Sequence, residues 1–344
     1  MKSSIAKSSL LSRTLHQTTV GMFALVAAAS ASTAAAAPAA GTANVAIVVR
    51  DFNNPYWQAL RDGAVDQGKK LNVPVTVQAG STETDAIGEN AKISTMANQN
   101  FTCFGVVPVN ATNVITPLIP LSRKNVPIIN LDTGLDAAAV KSAGLNLAGF
   151  IGSDNSHAGV IAAQYMLKLL DGKGKVAILL GIPGEQNGIA REAAFRKTIA
   201  GKLVVVQTQV ADYERAKAQT AVEAMLKVHP DLNGIFAAND EMGLGAAQAI
   251  ANAGKSGKIK VISVDGVSEA LAAVKSGKLS ATVSQYPYAE GQMAVQACLA
   301  KSQGKTIPAR VESPIELITA ENAAQAITSF PHPFFPFNNP FGAP

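Results

Sequence analysis

Histidine, cysteine and tryptophan are scarce in this chain, at 4, 2 and 1 of 344 residues. The histidines His16, His157, His229 and His332 show no ligand spacing, so no metal is expected. Two cysteines, Cys103 and Cys298, are too few for a disulfide framework. One bridge in an oxidising compartment and two buried thiols both fit them. Neither Gly-x-Gly-x-x-Gly nor Gly-x-x-x-x-Gly-Lys-Ser/Thr occurs, and the glycines of Gly181-Ile182-Pro183-Gly184 have neither spacing. Nucleotide binding therefore has no support, and no cofactor is expected. A Gly-x-Ser-x-Gly elbow is also missing, and nothing suggests a nucleophile beside its base. Dense Lys/Arg clusters are absent, which argues against nucleic acid as a partner. No apolar run is long enough to span a bilayer.

What is present begins with an export signal. Lys2, Lys7 and Arg13 form a basic start, Val20 to Ala29 an apolar stretch, and Ala31 to Ala40 a small-residue region with several Ala-x-Ala options. Residues 1–36 are read as this signal. They hold three basic residues and no Asp or Glu, so the formal net charge of +5 becomes +2 without them. The remaining ~300 residues suffice for two domains.

Strand and helix signals then alternate. Apolar strands are expected at 45–49, 73–78, 103–108 and 126–131, with helices at 55–70, 84–99 and 112–123. After a looser connection come strands at 148–152, 175–180, 203–209, 234–238 and 259–264, separated by helices at 155–170, 188–200, 214–228, 241–253 and 267–275. This alternation means parallel βαβ units, too many for one open sheet, so two similar α/β lobes are expected. Strand 280–285, helix 288–302 and strand 311–316 form one more unit with no lobe of its own. Residues 329–344, rich in Pro, Phe and Asn, read as an irregular tail.

The strand ends carry the informative side chains, because ligands of open α/β sheets bind outside the carboxyl ends of their strands. Val45 to Val49 runs into Arg50-Asp51-Phe52-Asn53-Asn54-Pro55-Tyr56-Trp57, where Pro55 suits a first helical turn. Tyr56 and Trp57 either anchor that helix in the core or form an aromatic wall of a pocket. Asp132-Thr133-Gly134 spells an aspartic-protease triplet, but those enzymes need two such carboxylates in a β-rich fold, and no second copy exists. Tyr213, Asn239, Asp265 and Gln285 follow later strands. Each alone has a plain alternative, such as capping the next helix. Their recurrence in both halves favours a shared binding cleft without a catalytic set.

These stretches resemble the pentose/hexose periplasmic binding proteins of the ribose-binding type. The matching segments are 45–57, 128–132, 181–195, 211–214, 236–247 (with Ala-Asn-Asp-Glu-Met-Gly-Leu-Gly-Ala), 264–266 and 281–285, in the family's order and spacing. The resemblance implies two Rossmann-like lobes with parallel sheets, joined by three crossings. The first lobe would be 42–152 plus 287–314, the second 153–285 plus 315–328, with 329–344 as a tail. It also implies a periplasmic monomer, its signal cleaved, that captures a small sugar or polyol and delivers it to the membrane permease of an ABC transporter. Some family members also signal to a chemoreceptor. An enzyme on the same scaffold is the alternative. A transcription regulator with this core would need a DNA-binding segment where the export signal stands.

By position, Asn54 resembles the family's first-loop amide, Tyr56 and Trp57 its stacking aromatics, and Tyr213 the aromatic of the opposite lobe. Asp132, Asn239, Asp265 and Gln285 resemble its hydroxyl-binding groups. Two arginines of ribose-type members are replaced here by Thr133 and Ile189, while Arg191 matches a more structural arginine. Arg50, where those members have a small hydroxyl residue, restores some donor capacity. Glu185, Gln186 and Asn187 lie in the same loop as Ile189, and Asn187 joins the candidate ligand contacts. Asp132 and Asp265 then need other donors in a closed cleft. The site is thus not tuned to ribose itself; another sugar, a polyol or a small cation-bearing polar molecule all fit.

Overall fold

A computed structural model describes residues 43–342 of the chain; the expected signal at 1–36 lies outside them. The first sheet contains β1 (Val45–Val49), β2 (Val75–Ala79), β3 (Cys103–Val106), β4 (Ile128–Leu131), β5 (Gly149–Ser153) and β11 (Arg310–Ser313), in the order β11-β5-β4-β3-β1-β2. The second contains β6 (Gly174–Leu180), β7 (Leu203–Val210), β8 (Gly234–Ala237), β9 (Lys260–Asp265), β10 (Ala281–Gln285) and β12 (Ile315–Ile318), in the order β12-β10-β9-β8-β6-β7. β1, β3, β4 and β8 are buried along their whole length, as apolar strands covered by helices on both faces must be.

Both sheets reverse direction of growth at one place, between β1 and β3 in the first and between β6 and β8 in the second. Adjacent crossover helices leave on opposite faces there, which opens a crevice at the strand ends. The loops after β1 and β6 start at these crevices.

All strand pairs are parallel except β10 with β12. The sequence suggested one strand at 311–316; the chain instead forms β11 and β12 in different sheets, with Pro314 between them. Proline cannot donate to a ladder. With no crossover helix after Pro314, β12 enters its sheet antiparallel. The chain also changes sheet after β5 and after β10, giving three crossings at about 154, 286 and 314.

Helix α1 (Pro55–Leu71) packs against α10 (Pro287–Ser302) across a very close crossing. A Cβ on Gly63 would lie 2.0 Å from the Tyr288 carbonyl oxygen, and one on Gly291 2.1 Å from that of Leu60. Cys103 of β3 and Cys298 of α10 are disulfide-bonded, 195 residues apart, which settles the choice the sequence left open. Replacing both by alanine is expected to cost ~2–4 kcal/mol of stability. An unchanged melting temperature on reduction would contradict this.

Two short helices lie outside the expected pattern: α4 (Ala137–Ser142) and α11 (Ala323–Ser329). Each spans less than two turns and so carries no readable period. After α11 the tail runs back over α10. His332 meets the Tyr288 ring edge-on at 4.8 Å, and Asn339 Nδ2 donates to Gln296 Oε1 at 3.0 Å. Phe334, Phe337 and Phe341 pack against the large apolar core. Among the described residues no helix is long and apolar enough to cross a membrane.

Candidate functional site

The loops at the strand ends of the two sheets meet around a small polar cavity. Ten of the twelve residues singled out from sequence line it: Arg50, Asn54, Tyr56, Trp57, Asp132, Asn187, Tyr213, Asn239, Asp265 and Gln285.

The other two do not. Thr133 is fully buried behind the wall, where it donates to Asp132 Oδ2 at 2.8 Å and accepts from Arg50 Nη2 at 2.6 Å. Ile189 is 49% exposed and stands on the outside of α6 (Gln186–Ile199). The cause is helical period: Asn187 and Arg191, four apart, share the cavity face, and position 189 is rotated about 200° from 187. Glu83, Glu185 and Arg191 complete the lining. Arg191, which by resemblance matches a structural arginine, does make structural bonds, to Asn155 Oδ1 at 2.7 Å and the Ala238 carbonyl at 2.6 Å. Glu83 follows β2, so the same strand-end rule applied to that strand would have found it.

Arg50 ties the two halves together. Its Nη2 lies 3.1 Å from Glu185 Oε1, its Nη1 3.8 Å from Glu83 Oε2, and its Nε donates to the Pro108 carbonyl at 3.1 Å. Its guanidinium carbon sits 5.2 Å from the Trp57 ring centre and 5.8 Å from that of Tyr213, so it bridges aromatics of opposite lobes. Burial alone would lower its pKa, but Glu185 and Glu83 outweigh this and the net shift is upward.

Glu185 is the N-cap of α6, accepting from Asn187 N at 3.0 Å and Gly188 N at 2.7 Å, and it also accepts from the Tyr213 hydroxyl. Burial lifts its carboxyl, yet Arg50 and the Tyr213 hydroxyl reverse the balance and hold it below the ordinary value. Gly181, whose motif carried no phosphate spacing, has a different use: a Cβ there would lie 2.0 Å from the Tyr213 ring.

Two residues combine a capping role with a place on the wall. Asn54 caps α1 through Tyr56 N at 3.0 Å and donates to Glu83 at 2.6 Å. Asn239 caps α8 (Asp240–Asn252) through Met242 N at 2.9 Å. Tyr56 and Trp57 also anchor helix α1: both are buried in the core while their polar edges face the site. Tyr56 donates to Asp132 at 2.8 Å and Trp57 Nε1 to Glu83 at 2.8 Å. Gln285 donates to Asp265 Oδ1 at 2.9 Å. Asp132, Tyr213 and Asp265 all have positive φ (52°, 63° and 134°), a backbone strain that gathers at ligand-facing positions.

Burial pushes several carboxyl groups up: Glu83 and Glu89 to about 7, Asp240 to about 6, and Asp265 and Glu290 well above the usual carboxylate range. In the folded state these groups bind protons that the unfolded chain has released. Between about pH 7 and pH 4.5 stability therefore rises as pH falls, by up to ~1.4 kcal/mol per pH unit for each group. The ligand-free protein should melt several degrees higher at pH 5.5 than at pH 7.5 by calorimetry. A lower melting temperature at pH 5.5 would show that these acids are ionised at neutral pH at no cost.

Among the described residues, no group of three or more His, Cys, Asp or Glu could hold a metal ion. A family model described as a periplasmic binding protein domain matches residues 45–306. The D-allose-binding periplasmic protein of Escherichia coli is 34% identical over 77% of this chain and 87% of its own length. The ribose import binding protein of Bacillus subtilis is 31% identical over 80% of this chain and 87% of its own. Among solved structures, an ABC transporter periplasmic solute binding protein from Actinobacillus succinogenes with bound D-allose is similar at TM-score 0.78 and 30% identity, covering 83% of this chain and 100% of that one. An Agrobacterium vitis ABC transporter solute binding protein bound with α-D-tagatopyranose has TM-score 0.79 and 25% identity, covering 84% and 99%.

Proposed function

Since the chain belongs to the periplasmic binding protein family, we propose that it captures one small sugar or polyol between its lobes and hands it to the membrane permease of an ABC transporter. One observation carries this reading. Side chains from both sheets converge on one small polar cavity whose groups are mostly planar acceptors and donors beside aromatic faces. Carboxylates and amides of this kind pair with vicinal hydroxyls, and aromatic faces cover C–H surfaces. The three chain crossings allow hinge closure around the ligand. The neighbours with bound sugars support the ligand class, and the leader-like composition of residues 1–36 supports action in the periplasm.

The test uses Trp57, the only tryptophan. Titration with monosaccharides and polyols should change its fluorescence, and a thermal-shift screen should raise the melting temperature for the ligand, since binding to the folded state alone stabilises it. A silent response across both classes would overturn the reading, whereas turnover of a bound sugar would favour an enzyme.

A further inference from the structure

Carboxyl groups outnumber guanidiniums in the cavity. Four carboxylates, on Glu83, Asp132, Glu185 and Asp265, face it against two guanidiniums. Arg50 donates to Glu185 at 3.1 Å and stands 3.8 Å from Glu83 Oε2, too far for a hydrogen bond, and Arg191 comes no closer than 3.9 Å to Asp265 Oδ1. Asp132 receives neutral donors only, from Tyr56, Thr133 and Asn187. Glu83 is the most conspicuous case. Both of its hydrogen bonds, from Asn54 and Trp57, fall on Oε1, while the buried Oε2 accepts none. Across the cleft Gln285 Oε1 is likewise buried without a donor. A neutral hydroxyl ligand would bind with Glu83 protonated, whereas a cationic ligand would take the place of that proton and let the buried carboxylate ionise without an unpaired charge.

Building on the proposed function, we propose that the ligand is a monosaccharide- or cyclitol-sized polyol carrying one protonated amino group, and that Glu83 Oε2 receives this ammonium. An ammonium supplies three donors and a positive charge at one point, within hydrogen-bond reach where Arg50 is not. The Trp57 ring beside Glu83 offers it a further favourable face. The groups around Glu83 fit this role. Burial pushes its carboxyl up to about 7, Arg50 pulls it down, Asp51 pushes it up, and the Asn54 and Trp57 donors favour the charged form. Without a cation Glu83 takes up a proton near neutrality, so an ammonium ligand competes with that proton and binds more weakly as pH falls below 7.

Calorimetric titration of the intact protein with matched pairs decides this: D-glucose against D-glucosamine, D-allose against 2-amino-2-deoxy-D-allose, and myo-inositol against an amino-deoxy-inositol. The tightest binder should be an amine, at least ~10-fold tighter than its parent at pH 7.5, about 1.4 kcal/mol. That advantage should shrink toward pH 5.5 and disappear in Glu83→Gln, where amine and parent should bind alike. If Glu83→Gln does not fold, the wild-type ranking and its pH dependence decide. Parents binding as tightly as their amines in every pair would overturn the proposal and leave the sugar-binding reading intact. An amine advantage that survives in Glu83→Gln would overturn the role of Glu83. No binding by any member would overturn both.

Discussion

Glu185→Ala is expected to weaken ligand binding by ~2–5 kcal/mol, roughly 30-fold to several thousand-fold. Glu185 is fully buried at the end of β6, and Arg50, its partner at 3.1 Å, leaves the end of β1 in the other sheet. The pair therefore forms where the lobes meet, and removing the acid leaves a buried guanidinium whose nearest remaining carboxylate oxygen, on Glu83, is 3.8 Å away. The Tyr213 hydroxyl and the N–H groups of Asn187 and Gly188 lose an acceptor in the same step. Glu185→Gln keeps the shape and part of the cap, so it should fall between wild type and alanine. Calorimetric titration with a ligand found by the thermal-shift screen measures both variants. An alanine variant within threefold of wild type would mean the ion pair contributes nothing to the closed state.

Asp240→Ala is expected to lose about 3–5 kcal/mol of folding stability, one of the largest single-residue effects in the second lobe. Asp240 does not line the cavity. It opens α8, and its carboxylate accepts from Thr282 Oγ1 at 2.7 Å, from Ser263 Oγ and from Val267 N at 2.9 Å, tying that helix to β9, β10 and the turn after β9. Three buried donors would be orphaned at once, each at ~1–3 kcal/mol before relaxation. That turn also holds Asp265 at its positive φ, so the variant should loosen the site as well as the fold. Urea unfolding at pH 7 checks the value, and a loss under ~1 kcal/mol would show that the network relaxes around the gap.

The sequence displayed the alternation of elements and most of the cavity wall because both follow from local rules. Apolar strands such as Val45–Val49 are continuous, and the polar residues directly after them are confined to strand ends. Ile189 was misplaced because spacing within one loop does not say which residue faces the cleft; the register of α6 decides it. Glu83 escaped notice because β2 is only partly buried and the residues that separate it from Glu83 include no aromatic or amide to draw attention. The dual roles of Asn54 and Asn239 show that capping and cavity lining are not alternatives: the side-chain oxygen caps while the amide NH₂ faces other groups.

By itself, the sequence determined the α/β class, the doubled architecture and a binding constellation without a catalytic one, since hydrophobic period and residue chemistry are properties of short segments. Only the tertiary structure decided that Cys103 meets Cys298, that Pro314 separates strands of two sheets, and that Arg50 bridges Glu83 and Glu185 between two aromatic rings. Those facts join residues far apart along the chain, and the excess of carboxyl groups over guanidiniums in the cavity exists only once both lobes contribute to one space.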